Sequence, residues 1–329
     1  MKKMLVLVLA LAMLFSCACA LADEPVTLTY SEVNPLEGNV VGEVAKAFKA
    51  KVEEISGGNV LIDIQAGGVL GSEDQILDNL LGGGNITDIG RFSAFALTQY
   101  GCDKAKLLSI PYTLVNEDHF WNFADSEMAK DFQLEPQTLG LPLRGLCYGE
   151  EGFRHFFFKN EVKGLEDLKG LKIRVSSDPV MTGMVTNLGA SATTVPFTEL
   201  YSALQTGVVD AAEQPTANYK SNAFQEVAPY FMMDGHTLGA VQLIITDAAW
   251  NKLSAEQQAW VEEAAAYASQ VCREVSESKE AETLEALKAE GVTIIEVPDK
   301  TPWIEAVKDV VSANINGEDA AYEAILGMK

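Results

Sequence analysis

The sequence predicts an α/β fold of two lobes that a single long helix spans. Strand-like and helix-like patterns alternate along the chain, which is typical of a sheet covered by helices. The 329 residues, of which 48% are hydrophobic, can bury two ordinary cores. Ser254 and Gln257 form a capping box, and no proline or glycine follows until after Ala289. A helix of this length would measure about 50 Å, which exceeds the width of one lobe.

The first half of the chain predicts three strands and two helices. Strands are expected at 26–31, 60–64 and 86–90, each a short apolar run. Ser72 is a candidate N-cap for a helix that ends before Gly82. The other helix lies between the first two strands, and its apolar face consists of Val41, Val44, Ala45, Phe48, Val52 and Ile55.

The second half of the chain carries the predicted crossings between the lobes. Residues 143–159 predict two consecutive strands, and the chain first crosses between lobes near 147–151. Further strands are predicted at 208–212, 235–246 and 292–297, and a helix at 198–206. The predicted organisation is a signal peptide at 1–22, lobe I at 23–150 plus 241–279, and lobe II at 151–240 plus 280–329.

The N-terminus has the pattern of a secretory signal. Lys2 and Lys3 precede an apolar run at 4–15, and Ala20-Leu21-Ala22 offers a small-x-small cleavage site. No later stretch reaches eighteen apolar residues, so the sequence predicts an exported protein without a membrane span.

A second interpretation of the same segment stays open. Residues 14–17 loosely resemble a lipoprotein box, which would place a lipid on Cys17, although Phe15 fits that pattern poorly. The mature protein would then start at Cys17 and be tethered to a membrane, instead of starting at Asp23.

The chain is strongly acidic, with 24 Lys and Arg against 47 Asp and Glu. Loss of Lys2 and Lys3 with the signal would take the net charge from −23 to −25. Such a surface repels phosphate backbones, so nucleic acid is not an expected partner. An anionic ligand would need a local basic pocket that works against the overall field.

No catalytic, metal or nucleotide-binding motif is present in the sequence. The segment "LGGGN" at 81–85 matches neither a phosphate-binding loop nor a dinucleotide fingerprint, and no serine stands in a G-x-S-x-G elbow. We therefore expect no cofactor, no metal and no enzymatic activity. The histidines lack ligand spacing and the mature cysteines are interpreted as buried free thiols: His119, His155, His236, Cys102, Cys147 and Cys272.

Two arginines are the candidate binding residues. Arg174 ends the apolar strand in "LKGLKIRV", and Arg154 lies in the strand-like run "EEGFRHFF". A buried guanidinium is costly unless an anion meets it, and it grips a carboxylate through two hydrogen bonds. A structural salt bridge is the alternative, with Glu150 or Glu151 as the acid beside Arg154.

These segments resemble the DctP-type solute receptors of tripartite ATP-independent periplasmic (TRAP) transporters. The similarity rests on "EEGFRHFF", on "DLKGLKIRV" and on "ELYSALQTGVVDAAEQP", and it extends from about Leu28 to the C-terminal region. It implies a two-lobed periplasmic-binding-protein-like fold with a ligand cleft between the lobes and a long helix that braces both. It also implies a small and a large membrane subunit as partners. The protein is expected to be a monomer.

The resemblance also implies roles for individual residues. Arg174 would pair with a ligand carboxylate and Arg154 would assist. Gln214 stands where the family has an asparagine, so its reach differs by one methylene, and Phe197 would pack on the ligand or in the core. In the first lobe the candidates are Glu32, Glu73, Arg91 and Ser93, where Glu73 could equally be a helix cap.

Acidic groups in the first lobe predict a ligand rich in hydroxyls. They accept hydrogen bonds from hydroxyls and repel a second carboxylate, which favours a sugar acid such as a uronate. The alternatives are a receptor for a C4-dicarboxylate or another monocarboxylate, a receptor for a different transporter or a chemoreceptor, and an exported sugar-acid enzyme.

Overall fold

The computed structural model describes residues 24–315 and 317–329. The predicted signal peptide and Cys17 lie outside these residues. Within the described part of the chain, nine strands form one sheet in the order β2-β1-β3-β8-β4-β7-β5-β6, with β9 beside β8. The strands are β1 (Val26–Ser31), β2 (Val60–Gln65), β3 (Ile89–Ser93), β4 (Leu143–Phe158), β5 (Lys172–Val175), β6 (Ser191–Thr194), β7 (Ala211–Pro215), β8 (Tyr230–Thr246) and β9 (Thr293–Glu296).

Two long strands join the halves of this sheet. The parallel strands β1 to β3 form lobe I, where β3 pairs with residues 241–245 of β8. Strands β5 to β7 form lobe II, where β7 pairs with residues 154–158 of β4. Because β4 and β8 pair with each other along nearly their whole length, the backbone ladder continues from one lobe into the other.

Helices cover both faces of the sheet, as the alternating sequence pattern predicts. They are α1 (Val40–Ile55), α2 (Glu73–Leu81), α3 (Ala94–Thr98), α4 (Asp103–Leu107), α5 (Glu117–Ala124), α6 (Glu127–Gln133), α7 (Glu135–Thr138), α8 (Pro179–Asn187), α9 (Leu200–Thr206), α10 (Thr216–Ser221), α11 (Asp247–Trp250), α12 (Ala255–Ala289), α13 (Thr301–Asn314) and α14 (Asp319–Leu326). Three short 3₁₀ turns lie at Leu165–Leu168, Phe197–Glu199 and Phe224–Glu226.

The long helix α12 spans both lobes. Its capping box is formed, since the Ser254 hydroxyl accepts from the Gln257 N–H and the Gln257 side chain accepts from the Ser254 N–H. The helix packs on α1 and β4, and further along on α10. Its 35 residues confirm the predicted length and extent.

The structure corrects the strand boundaries of the second lobe. Residues 143–158 form one strand with register shifts instead of two strands, because pairing with β8 resumes after a bulge between Glu150 and Phe153. Gly152 absorbs the bulge with a φ of +87°. Strand β7 begins three residues later than predicted, which places Gln214 inside the sheet.

Strand β3 also begins three residues later than predicted. Asp88 still makes backbone hydrogen bonds with Thr29 and Thr246, but side-chain contacts replace regular pairing before it: the Thr87 hydroxyl donates to the Ile89 carbonyl, and the Asp88 carboxylate accepts from the Thr29 N–H. Arg91 and Ser93 consequently lie within the strand.

The cysteines of the described chain are buried free thiols, as predicted: Cys102, Cys147 and Cys272. No helix in residues 24–315 or 317–329 is long and apolar enough to cross a membrane.

Candidate functional site

A pocket with about 510 Å³ of empty space, part of it open to solvent, lies between the lobes. Residues of β3 and α2 form its wall on lobe I, and residues of β4, β5 and β7 form its wall on lobe II. Seven of the eight sequence-predicted site residues line it: Glu73, Arg91, Ser93, Arg154, Arg174, Phe197 and Gln214.

Arg174 is a buried cation without a carboxylate partner in the described chain. Its side chain is 3% exposed, and its Nε donates to the Val195 carbonyl over 2.9 Å. Burial lowers the pKa of the Arg174 guanidinium to about 10, against the opposing field of Glu213. The guanidinium lies 6.0 Å from the Phe197 ring centre. Such a group favours an anionic ligand, because no carboxylate of the described chain forms an ion pair with its desolvated charge.

Arg154 is held differently, because it forks onto a carboxylate of the protein. Its Nε and Nη2 donate to the two Glu213 carboxylate oxygens over 2.5 Å and 3.0 Å. Burial alone would raise the pKa of Glu213, but the Arg154 guanidinium overcomes it and holds that pKa at about 2. His236 lies 3.6 Å from Glu213 and hydrogen-bonds Asp234. Nη1 of Arg154 lies 3.5 Å from Oε2 of Glu151, an ion pair that leaves its hydrogens available to a closer acceptor in the cavity.

On lobe I, Arg91 is the centre of a second buried pair. Its Nε and Nη2 fork onto the Glu32 carboxylate, and its Nη1 donates to Glu73 over 2.6 Å. The Ser93 hydroxyl donates to Glu73 over 2.6 Å. Glu32 is 2% exposed, also accepts from Asn34, and does not line the cavity. The structure thus places Glu32 behind Arg91, while Arg91, Glu73 and Ser93 face the cavity.

Gln214 and Phe197 occupy the lobe II wall. Gln214 is buried on β7, in register with His155 of β4. Phe197 is partly exposed and packs edge-on against Phe224. Phe95 faces the same space from lobe I, with its ring centre 4.8 Å from the Arg154 guanidinium carbon.

Six polar residues of the wall were not predicted as site residues: Asn34, Ser72, Asp74, Glu151, Ser176 and Asn218. The Ser176 hydroxyl is buried without a hydrogen-bond partner in the described chain. Ser176 follows Arg174 by two residues, and side chains two positions apart in an extended chain point to the same side. The sequence therefore contained a signal for Ser176. Glu151 directly precedes the bulge glycine, Gly152. No sequence pattern marks Glu151 as a cavity position.

Direct hydrogen bonds join the lobes beside the cavity. The Ser177 hydroxyl donates to Asp74 over 2.7 Å, and Thr98 lies 3.0 Å from the Asp178 carboxylate. The Asn222 amide donates to the Asn34 side chain over 3.0 Å. We refer to these three pairs as the inter-lobe contacts. They describe a closed arrangement of the two lobes.

The cavity wall carries hydrogen-bond donors at one end and carboxylate acceptors elsewhere. Arg174, the Ser176 hydroxyl and Nη1 of Arg154 are donors with free capacity on lobe II. Carboxylates of Glu73, Asp74 and Glu151 are acceptors. Among the described residues, no group of histidines, cysteines or acids is arranged to hold a metal ion.

Curated relatives are similar over most of the chain. A solute-binding protein of Roseobacter denitrificans is 30% identical over 284 residues, covering 86% of this chain and 85% of the relative. The sialic acid-binding periplasmic protein SiaP of Vibrio cholerae is 28% identical over 272 residues, covering 82% and 83%.

Solved structures of TRAP periplasmic solute-binding proteins are similar over nearly the whole chain. One from Pseudomonas putida with bound D-glucuronate has a TM-score of 0.86 and 28% identity, and covers 91% of this chain and 96% of that chain. One from a Bradyrhizobium species in complex with D-galacturonate has a TM-score of 0.84 and 29% identity, covering 92% and 98%. The family pattern of the bacterial extracellular solute-binding proteins, family 7 (DctP), matches residues 30–317, so this chain belongs to that family of TRAP transporter solute receptors.

Proposed function

We propose that the protein captures a sugar acid, a uronate or a closely related hydroxylated monocarboxylate, and delivers it to a TRAP-type membrane permease. The carboxylate would dock on Arg174, with Nη1 of Arg154, Gln214 and the Ser176 hydroxyl completing its hydrogen bonds. Hydroxyls would face the acceptors of lobe I, and Phe197 would cover an apolar face of the ligand.

The observation that carries this proposal is the unpaired, buried charge of Arg174. The other two cavity arginines already fork onto glutamates of the protein, Arg91 onto Glu32 and Arg154 onto Glu213. A guanidinium left without a counter-ion in a closed pocket is most stable when a carboxylate enters with the ligand.

The similar structures support the ligand class. Their ligands are D-glucuronate in the Pseudomonas putida protein and D-galacturonate in the Bradyrhizobium protein. A Bordetella protein that is 26% identical, with a TM-score of 0.86, has density interpreted as pantoate, which is also a hydroxylated monocarboxylate. A small hydroxy acid of that kind is therefore the second candidate ligand.

The remaining parts of the proposal concern closure, location and chemistry. A ligand that contacts both lobes favours the closed state by its differential affinity, with the lobes dividing near 150/151 and 240/241. We infer an exported protein, started at Asp23 or lipidated on Cys17, whose closed form docks on the small and large permease subunits. The ligand leaves unchanged, because binding needs no bond-breaking step.

A thermal-shift screen tests the proposal across uronates, aldonates, C4-dicarboxylates and 2-oxo acids. Ligand that binds only the native state raises the melting temperature, by the equivalent of about 2.7 kcal/mol at a concentration of 100 times Kd. We expect shifts with D-glucuronate or D-galacturonate, confirmed by titration calorimetry and by recovery of the intact ligand. Shifts with dicarboxylates alone, or turnover of the bound sugar acid, would overturn it.

A further inference from the structure

Two of the cavity's three arginines are already neutralised by glutamates that lie behind them. Arg91 donates to both carboxylate oxygens of Glu32, and Arg154 donates to both carboxylate oxygens of Glu213. These acids have little capacity to bind a ligand, because they do not line the cavity and guanidinium hydrogens occupy both of their carboxylate oxygens. The hydroxyls of a ligand must therefore be read by a different acceptor.

Glu151 is a buried carboxylate of the cavity wall with spare acceptor capacity. Its Oε1 accepts from the Asn218 amide over 2.9 Å. The nearest guanidinium nitrogens lie beyond hydrogen-bonding distance, with Nη1 of Arg91 3.6 Å from Oε1 and Nη1 of Arg154 3.5 Å from Oε2. Within the described chain, one hydrogen bond thus serves a group that can accept about four.

The position of Glu151 is fixed by the strand that joins the lobes. It lies on β4 at the bulge, immediately before Gly152, and its side chain is about 3% exposed. The adjacent Glu150 instead contacts α12, where its backbone hydrogen-bonds the Cys272 thiol. The bulge therefore aims one of two neighbouring acids into the cavity and leaves the other outside it.

The cavity consequently offers a cation without a carboxylate partner, Arg174, and a carboxylate with spare acceptor capacity, Glu151, which forms ion pairs with Arg91 and Arg154 at 3.6 Å and 3.5 Å. We propose that Glu151 determines ligand specificity: it accepts a hydrogen bond from a ligand hydroxyl and excludes a second carboxylate. A second carboxylate near Glu151 would meet a like charge in a buried site, where repulsion is far stronger than in water. A hydroxyl would instead supply the missing donor. This inference rests on the proposed function and names the feature that separates uronates from aldarates.

The test uses two ligand pairs of matched configuration, D-glucuronate with D-glucarate and D-galacturonate with galactarate. Each pair differs by a second carboxylate at C1. Titration calorimetry at pH 8.5 gives the uronate-to-aldarate affinity ratio for the wild type and for Glu151→Gln. Comparing this ratio between proteins cancels the difference in shape between ring and open chain.

Glu151→Gln keeps an acceptor oxygen but removes the charge. We expect uronate affinity to fall by roughly fivefold, since hydrogen bonds to charged groups exceed neutral ones by about 1 kcal/mol. Aldarate affinity should rise by roughly tenfold as repulsion is lifted. The uronate-to-aldarate ratio should therefore fall by roughly fiftyfold.

Glu150→Gln is the matched control, because it removes the same charge one residue away on the same strand but outside the cavity. Its ratio should equal that of the wild type. Glu151→Asp keeps the charge on a shorter side chain, so it should lose uronate affinity while still rejecting aldarates; it also serves if Glu151→Gln fails to fold.

Three results would overturn the inference while leaving the proposed function intact. The first is a wild type that binds the uronate and the aldarate of a pair with equal affinity. The second is a Glu151→Gln variant whose uronate-to-aldarate ratio is unchanged, or whose aldarate binding stays undetectable. The third is a Glu150→Gln variant whose ratio changes as much as that of Glu151→Gln. A wild type that binds no hydroxylated monocarboxylate would instead overturn the proposed function itself.

Discussion

Replacing Arg174 with methionine should weaken ligand binding without lowering the stability of the ligand-free protein. Methionine roughly preserves the apolar length of the side chain but removes the charge that we assign to the ligand carboxylate. We expect affinity for the sugar acid to fall while the ligand-free protein keeps or gains stability.

The magnitudes follow from the surroundings of Arg174. Removing one partner of a buried, hydrogen-bonded charge pair costs about 2–5 kcal/mol, so the affinity should fall at least about thirtyfold. In the ligand-free protein, burial lowers the pKa of Arg174 from 12.5 to about 10. Holding it charged at pH 7 therefore costs the fold about 3 kcal/mol. Arg174→Met removes this cost, and the loss of the hydrogen bond to the Val195 carbonyl offsets about 1 kcal/mol of the resulting gain in stability.

Arg154→Met is the matched comparison, since it removes the same charge from the same wall. Here the buried Glu213 would lose its guanidinium partner and keep only the His236 contact, which should cost about 3–5 kcal/mol of unfolding free energy. Urea unfolding without ligand and calorimetry with it measure the two effects. Arg174→Met that loses as much stability as Arg154→Met, or that binds with wild-type affinity, would refute the assignment of Arg174.

Three further predictions concern the docking geometry of Arg174, the protonation of Glu150 and the N-cap of α12. Arg174→Lys should weaken binding by about tenfold or more in calorimetry, because an ammonium cannot form the paired fork; unchanged affinity would exclude bidentate docking. Burial raises the pKa of Glu150 to about 7, so the folded state holds this proton more tightly and stability is lost as pH rises from about 4.5 to 7. Glu150→Gln should therefore gain on the order of 3 kcal/mol over wild type at pH 8 but little at pH 4, by urea unfolding; an equal gain at both would contradict this. Ser254→Ala should cost about 1 kcal/mol by removing the cap of α12, whereas Ser278→Ala in the middle of the same helix should not.

The sequence predicted the elements whose signals are local. Strand β1 and the start and end of α12 were correct because an apolar run and a capping box mark them directly. Residues 143–158 were predicted as two strands, since the bulge at Gly152 interrupts the local pattern while the pairing with β8 that continues the strand is non-local.

Long-range pairing also limits what could be inferred about the site. The sequence and its family resemblance indicated Arg174 and Arg154 together, and both line the cavity. Glu150 or Glu151 was expected as the acid beside Arg154, and Glu151 does form an ion pair with it at 3.5 Å; the fork, however, is made by Glu213, which the register of β4 and β7 brings alongside. Residues 59 positions apart carry no local signal of such a pair.

The inter-lobe contacts have a kinetic consequence. Because the Ser177–Asp74 and Asn222–Asn34 hydrogen bonds link side chains next to the cavity, they must break before the lobes can separate around a captured molecule. Its residence time is then governed by how often the protein opens, so tight and weak ligands alike would depart no faster than that hinge motion permits. Any interaction that separates these side chains would accordingly accelerate release of the ligand at the membrane.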